Sequence, residues 1–136
     1  MRLYLTLLLS LSLFGGPVFA NGPSARDERY HFENLEMVKR FSNWSINGWN
    51  AIDQRSLIVQ TSPSTAYLVI LDRRLPDLRF SETIAISSTG SFVYAKFDTV
   101  LARNRYGLNI PASILKIYRL EGKEQRHRVR AQILNS

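Results

Sequence analysis

The chain of 136 residues has no cysteine and only two histidines. The first absence removes disulfides, thiolate catalysis and sulfur-ligated metal sites together. The two histidines, His31 and His127, stand in no nucleophile motif such as G-x-S-x-G, so a serine triad has no recognisable base. Carboxylates are scattered: Asp53, Asp72, Asp77 and Asp98 occur singly, unlike the closely spaced oxygen ligands of a calcium loop. Asp53 precedes a strand-like run and is expected to bond the backbone of a turn. No metal and no cofactor is expected. Long apolar runs are missing too: none approaches the ~20 residues of a membrane-spanning helix, so no transmembrane anchor is expected.

What is present begins with an export pattern. Arg2 precedes an apolar stretch from Leu3 to Phe14, Gly15-Gly16-Pro17 ends it, and Val18-Phe19-Ala20 puts small residues where a signal peptidase reads. The expectation is a signal peptide over residues 1–20, cleaved after Ala20, and a soluble periplasmic or secreted product. Asn21 follows, so there is no cysteine there to carry a lipid. Residues 21–29 read as a mobile leader and residues 30–136 as one β-rich domain, long enough to support a core without staples.

The whole chain carries a formal charge of +7, and losing Arg2 with the signal leaves 17 basic against 11 acidic residues, or +6. Basic side chains recur at Arg73, Arg74 and Arg79, at Arg103 and Arg105, and at Lys123, Arg126, Arg128 and Arg130. This balance favours anionic envelope components, lipid headgroups or acidic polysaccharide, or else only solubilises the surface. The clusters lack the interleaved aromatics of a nucleic-acid platform, and no nucleic acid is expected as partner. Asn43-Trp44-Ser45 matches the N-glycosylation pattern and is read as coincidence.

Along the chain, Phe32, Leu35, Val38 and Phe41 give a mixed apolar spacing that predicts a short helix over Glu33 to Phe41. Ser56 to Thr61 and Ala66 to Leu71 are β-rich runs around Ser62-Pro63-Ser64-Thr65, which predicts a hairpin. Thr83 to Ser88 and Ser91 to Thr99 predict a second hairpin through Thr89-Gly90, with Val93, Ala95 and Phe97 alternating against Phe92, Tyr94, Lys96 and Asp98. Arg103 to Pro111 reads as a loop and Ser113 to Leu120 as another strand. Trp44, Trp49, Phe80, Phe92 and Phe97 are expected to bring large areas into the core. The fold class is therefore mainly β: a small antiparallel barrel or compact sandwich of about five to seven strands, with a possible N-terminal helix. An α+β arrangement, that helix lying across the sheet, is the alternative.

Gln125 to Leu134 alternates Arg126, Arg128 and Arg130 with His127, Val129, Ala131 and Ile133, a period-2 pattern that predicts a basic C-terminal strand over 125–134. Its arginines would form a row at about 6–7 Å spacing, suited to phosphates or carboxylates. The other reading is an edge strand whose charge discourages pairing.

The segment from Phe41 to Leu120 resembles an uncharacterised family of small exported proteobacterial proteins. The carrying residues are Phe41-Ser-Asn-Trp44, Asp53 with SLIV at 56–59, AYLVIL at 66–71, LPDLRFSETIAI at 75–86, KFDTVLA at 96–102 and IYRL at 117–120. The resemblance implies an envelope location and a small β-rich fold, and it implies no activity. Members are often lipoprotein-like, which Asn21 does not fit. The family pattern has a cysteine before its Pro-x-Leu element and another in Cys-x-Ile-x-x-Ile. These fall here on Leu75 and on Ala112, with Ile114 and Ile117 matching the isoleucines. Their joint absence implies a pair that is normally a disulfide, so Leu75 and Ala112 should be neighbours with Cα atoms ~4.4–6.8 Å apart.

Three functions follow as expectations: a non-enzymatic binding domain for an unidentified ligand or envelope protein, a basic binder of anionic lipid or polysaccharide, and a small enzyme whose Asp53, Asp72 or Asp98 converge in one pocket.

Overall fold

Thr61-Ser62-Pro63-Ser64 forms the turn between two inner strands of the sheet. Ser62 Oγ accepts from Thr65 N at 2.9 Å, and β4 (Ser56–Gln60) and β5 (Thr65–Leu71) pair antiparallel from Ser56 opposite Ile70 to Gln60 opposite Ala66. In this computed structural model, which describes residues 28–103 and 110–136, the expected first hairpin is present. The expected signal peptide, most of the expected leader and the centre of the expected loop after Arg103 lie outside the described residues.

Both faces of the hairpin are apolar, so it sits centrally and is buried on two sides. Leu57, Val59, Val69 and Leu71 point to one cluster and Ile58, Ala66, Leu68 and Ile70 to another. Around it the strands β1 (Glu36–Val38), β3 (Gly48–Asp53), β6 (Ile84–Ile86), β8 (Thr99–Ala102) and β9 (Ala112–Glu121) complete an antiparallel sheet. It runs β3-β4-β5-β9-β8-β6, curled as a half-barrel, with β1 also paired to β9. A separate ribbon of β2 (Arg40–Ser42) and β7 (Phe92–Tyr94) places Phe41 and Val93 in the first cluster. The mainly β expectation holds, as a half-barrel with a covering ribbon.

β9 organises the rest. Ile70 faces Lys116 whereas Leu71 faces Ile114, so Leu115 is an extra residue, a β-bulge. The bulge explains why Ile114 and Ile117, three apart, enter the same cluster. One edge of β9 pairs with β5. Its other edge takes β8 at Ala112 and Ser113 and β1 at Ile117 to Arg119. The turn after β7 fills the gap between them: Lys96 N donates to Ile114 O at 2.6 Å and Ile114 N donates to Asp98 O at 2.9 Å. Lys96 holds a φ of 71°, a left-handed backbone uncommon outside glycine.

The second cluster is roofed by a helix, α1 (Gly122–Asn135), whose Val129 and Ile133 are buried against Ile58, Leu68 and Tyr118. The predicted C-terminal strand is thus corrected. Gly122, at φ 73°, turns the chain out of β9, and its N donates to Ser64 O at 2.7 Å. The Gln125 side chain then accepts from Glu121 N at 2.7 Å. Lys, Glu, Gln and Arg favour a helix, and Val129 and Ile133 at i and i+4 give it one buried stripe.

The predicted N-terminal helix is also absent. Glu33 to Leu35 instead turns the chain into β1 and β2, which are separated only by Lys39. Phe32 and Leu35 join the α1-side cluster while Val38 and Phe41 join the opposite one, because β1 pairs with β9 and β2 with β7. The second hairpin is corrected in its pairing. Gly90, at φ 64°, does make a turn with a bridge between Thr89 and Phe92, but β6 pairs with β8 and β7 with β2.

Asp98 causes that parting. It is 3% exposed, and its Oδ1 accepts from Ser87 Oγ at 2.7 Å and its Oδ2 from Tyr94 N at 2.7 Å, folding the second arm back on itself. Hence Phe97 is 79% exposed rather than core, and Trp44 and Phe80 are exposed too, while Trp49 and Phe92 are half-buried. The large rings that are buried are those of Tyr30, Phe32, Phe41 and Tyr118.

Candidate functional site

The helical turn of α1 re-sorts the basic residues. At 3.6 residues per turn, Lys123, Arg126, His127 and Arg130 share a face, and Arg128 points elsewhere. That face and the sheet edge β3–β4 bound a cleft of about 330 Å³. Gly48 and Asn50 of β3 alternate toward it, as do Ile58 and Gln60 of β4. The sheet thus supplies amide and aliphatic groups while the helix supplies cations.

Arg126 and Arg130 stand on one wall, and Arg128, expected in the same row on a strand, does not join them. It lines a smaller hollow with Phe32, Leu35 and Gln132, and meets Glu124 at 3.6 Å across one helical turn. The other acid of this region, Glu121, is held by Arg119 Nε at 2.6 Å. Lys123, Arg126 and Arg130 consequently have no carboxylate partner among the described residues. Arg126 is half-buried, and its Nη1 is removed from water without an acceptor. A buried donor left unpaired costs about 1–3 kcal/mol, more when it is charged, so this guanidinium is poised to gain from an anion.

Sequence reasoning counted Lys123 among the basic residues and put His127 opposite the arginine row, leaving both out of the site, and it missed Asn50 and Gln60. The signal for the first two was the i, i+3, i+4, i+7 recurrence of 123, 126, 127 and 130, which a period-2 reading overlooks. Asn50 and Gln60 carry no signal of their own, because only the pairing of β3 with β4 brings them under the helix.

The carboxylates expected to form an acid–base pair are each engaged structurally. Asp53 Oδ1 accepts from Arg55 N at 2.9 Å and Ser56 Oγ at 2.6 Å, the turn role expected of it, and its Oδ2 accepts from Tyr30 Oη at 2.5 Å. Burial, and then the bond to Asp53, push the Tyr30 phenol up to about 12. Asp72 Oδ1 accepts from Ser113 N at 3.0 Å, and Asp98 ties the loop after β6 to β7 through Ser87, Thr89 and Tyr94. No group of three or more His, Cys, Asp or Glu able to hold a metal occurs among the described residues. Asn43 of the glycosylation pattern donates from Nδ2 to Ser88 Oγ at 2.9 Å.

Leu75 and Ala112 are both buried in the cluster between half-barrel and ribbon, at 5% and 0% exposure. Asp72 N donates to Ser113 O at 2.9 Å, which ties the start of the segment leading to Leu75 beside Ala112. Among the described residues no helix is long and apolar enough to cross a membrane.

No match was found among curated proteins or among solved structures. A family model matches the chain over residues 1–136, and the chain belongs to that family, a family of unknown function (DUF6491).

Proposed function

We propose that this chain is an exported, non-catalytic binding domain that grips an anionic group of an envelope component in the cleft between α1 and β3–β4. The observation that carries this reading is Arg126, half-buried with Nη1 unpaired, between Lys123 and Arg130 on one helical face. Cations without counter-charges beside amide groups suit a phosphate, sulfate or carboxylate, which a guanidinium can take with two parallel bonds. The leader pattern supports delivery outside the cytoplasm.

The probes are inorganic phosphate, followed by titration calorimetry, and dextran sulfate as an anionic polysaccharide. Both bind at low salt and weaken as ionic strength rises, since exposed charges are screened over ~10 Å at 0.1 M. Arg126→Gln with Arg130→Gln abolishes phosphate binding, and Arg128→Gln leaves it unchanged. Equal losses from Arg128→Gln would mean that diffuse surface charge, not the cleft, does the binding.

A further inference from the structure

We propose a second site, separate from the cleft beside α1: the groove where β1 and β9 meet the turn after β7 binds a single-chain amphiphile with an anionic head, of the fatty-acid type. Its volume is about 740 Å³, within the ~300–1,000 Å³ usual for small-ligand sites.

Three apolar side chains reach into solvent here, Met37 at 57%, Phe97 at 79% and Leu115 at 38% exposure, around a floor to which half-buried Val38 contributes. Large apolar groups gathered along one groove mark a binding surface far better than the same groups scattered. An acyl chain is the occupant that such a floor can cover from end to end.

The rim chooses the head group. Lys39, Arg40, Lys96 and Lys116 border the groove, and no acidic residue lines it. Arg40 is held in place, its guanidinium over the Phe92 ring at 4.0 Å and its Nη1 donating to Tyr94 Oη at 2.9 Å. The lysines have no ion-pair partner among the described residues. Four cations around an apolar floor are complementary to one carboxylate at the end of a chain.

Two backbone irregularities shape the groove. The bulge in β9 puts Leu115 at it, and the left-handed Lys96 turns the chain so that Lys96 and Phe97 both line it. Bulges and non-glycine residues at positive φ recur at binding sites, where the local cost is retained for the placement it gives.

The test is titration of the full chain with cis-parinaric acid, a fluorescent fatty acid, with laurate, dodecanol and inorganic phosphate as competitors. Saturable fluorescence displaced by laurate is expected, with dodecanol about tenfold weaker because it lacks the charge, and phosphate without effect. Phe97→Asp, at an exposed position that the fold does not need, lowers affinity about tenfold, and so does Lys39→Glu with Lys116→Glu. The Arg126→Gln, Arg130→Gln variant keeps parinarate binding, which separates failure of this site from failure of the cleft. The proposal is overturned if dodecanol competes as well as laurate, if no saturable binding occurs, or if Phe97→Asp abolishes self-association instead, which would make a second copy the occupant.

Discussion

Tyr30 donates its phenol to Oδ2 of Asp53 at 2.5 Å, tying the segment before β1 to the turn between β3 and β4. Arg55 lies over the same ring at 5.0 Å, so the ring is held from two directions. Burial first, and then the bond and charge of Asp53, raise this phenol to about 12, against the partial opposition of Arg55 and Arg29. An unfolded tyrosine loses its proton near 10, so the contribution is complete below pH 10. It declines between 10 and about 12, where the unfolded chain releases a proton that the folded chain keeps. Urea midpoints measured across this window should fall more steeply for the wild type than for Tyr30→Phe. In Asp53→Asn the late tyrosinate step in absorbance should move toward, without reaching, the ordinary value, because burial remains.

Asp98→Ala should be among the most damaging single changes. It leaves Ser87 Oγ and Tyr94 N without their acceptor in a position 3% exposed, at a cost of about 2–4 kcal/mol. Chemical denaturation reads this directly. A change under about 0.5 kcal/mol would show that the loop after β6 and the turn after β7 do not depend on it.

Lys96→Gly should stabilise the fold and weaken ligand binding together. Relieving the φ of 71° is worth about 1 kcal/mol, while the rim loses one cation. Thermal melts and parinarate titrations on the same sample separate the two effects, and a variant that gained stability with full affinity would remove Lys96 from the rim's role.

Leu75 and Ala112 share a buried cluster, and we propose that they occupy the places of a disulfide found in other members of the family. Leu75→Cys with Ala112→Cys should therefore oxidise within one chain and add about 2–4 kcal/mol. Mass spectrometry and a non-reducing gel check the bond, and persistent free thiols under oxidant would show that the two positions do not face each other.

What was legible in the sequence, and what was not, follows from where each element gets its instructions. Ser56 to Leu71 carries its own: apolar residues on both faces and a serine-rich turn leave no alternative to a central hairpin. α1 was hidden because Val129, Ala131 and Ile133 fit period 2, while Val129 and Ile133 alone also fit a helix. The deciding cues were Gly122 and the long unbranched side chains after it. Glu33 to Phe41 was hidden for another reason, since its residues divide between two clusters that exist only once β9 is in place. The Arg126 and Arg130 half of the cleft could be read locally. Its Asn50 and Gln60 half, and the whole of the groove at Leu115 and Lys96, arise from pairings between distant strands.

β9 pairs with β5 along one edge and with β8 and β1 along the other, and it stands near the end of the chain. A chain delivered amino end first, from a ribosome or through a translocation pore, therefore has no seat for β1 until residues 117–119 have emerged. Up to that moment Glu36 to Val38 lacks its partner strand, and the arrival of β9 joins the separate hairpins into one sheet. Contacts so distant in sequence slow the joining of the sheet.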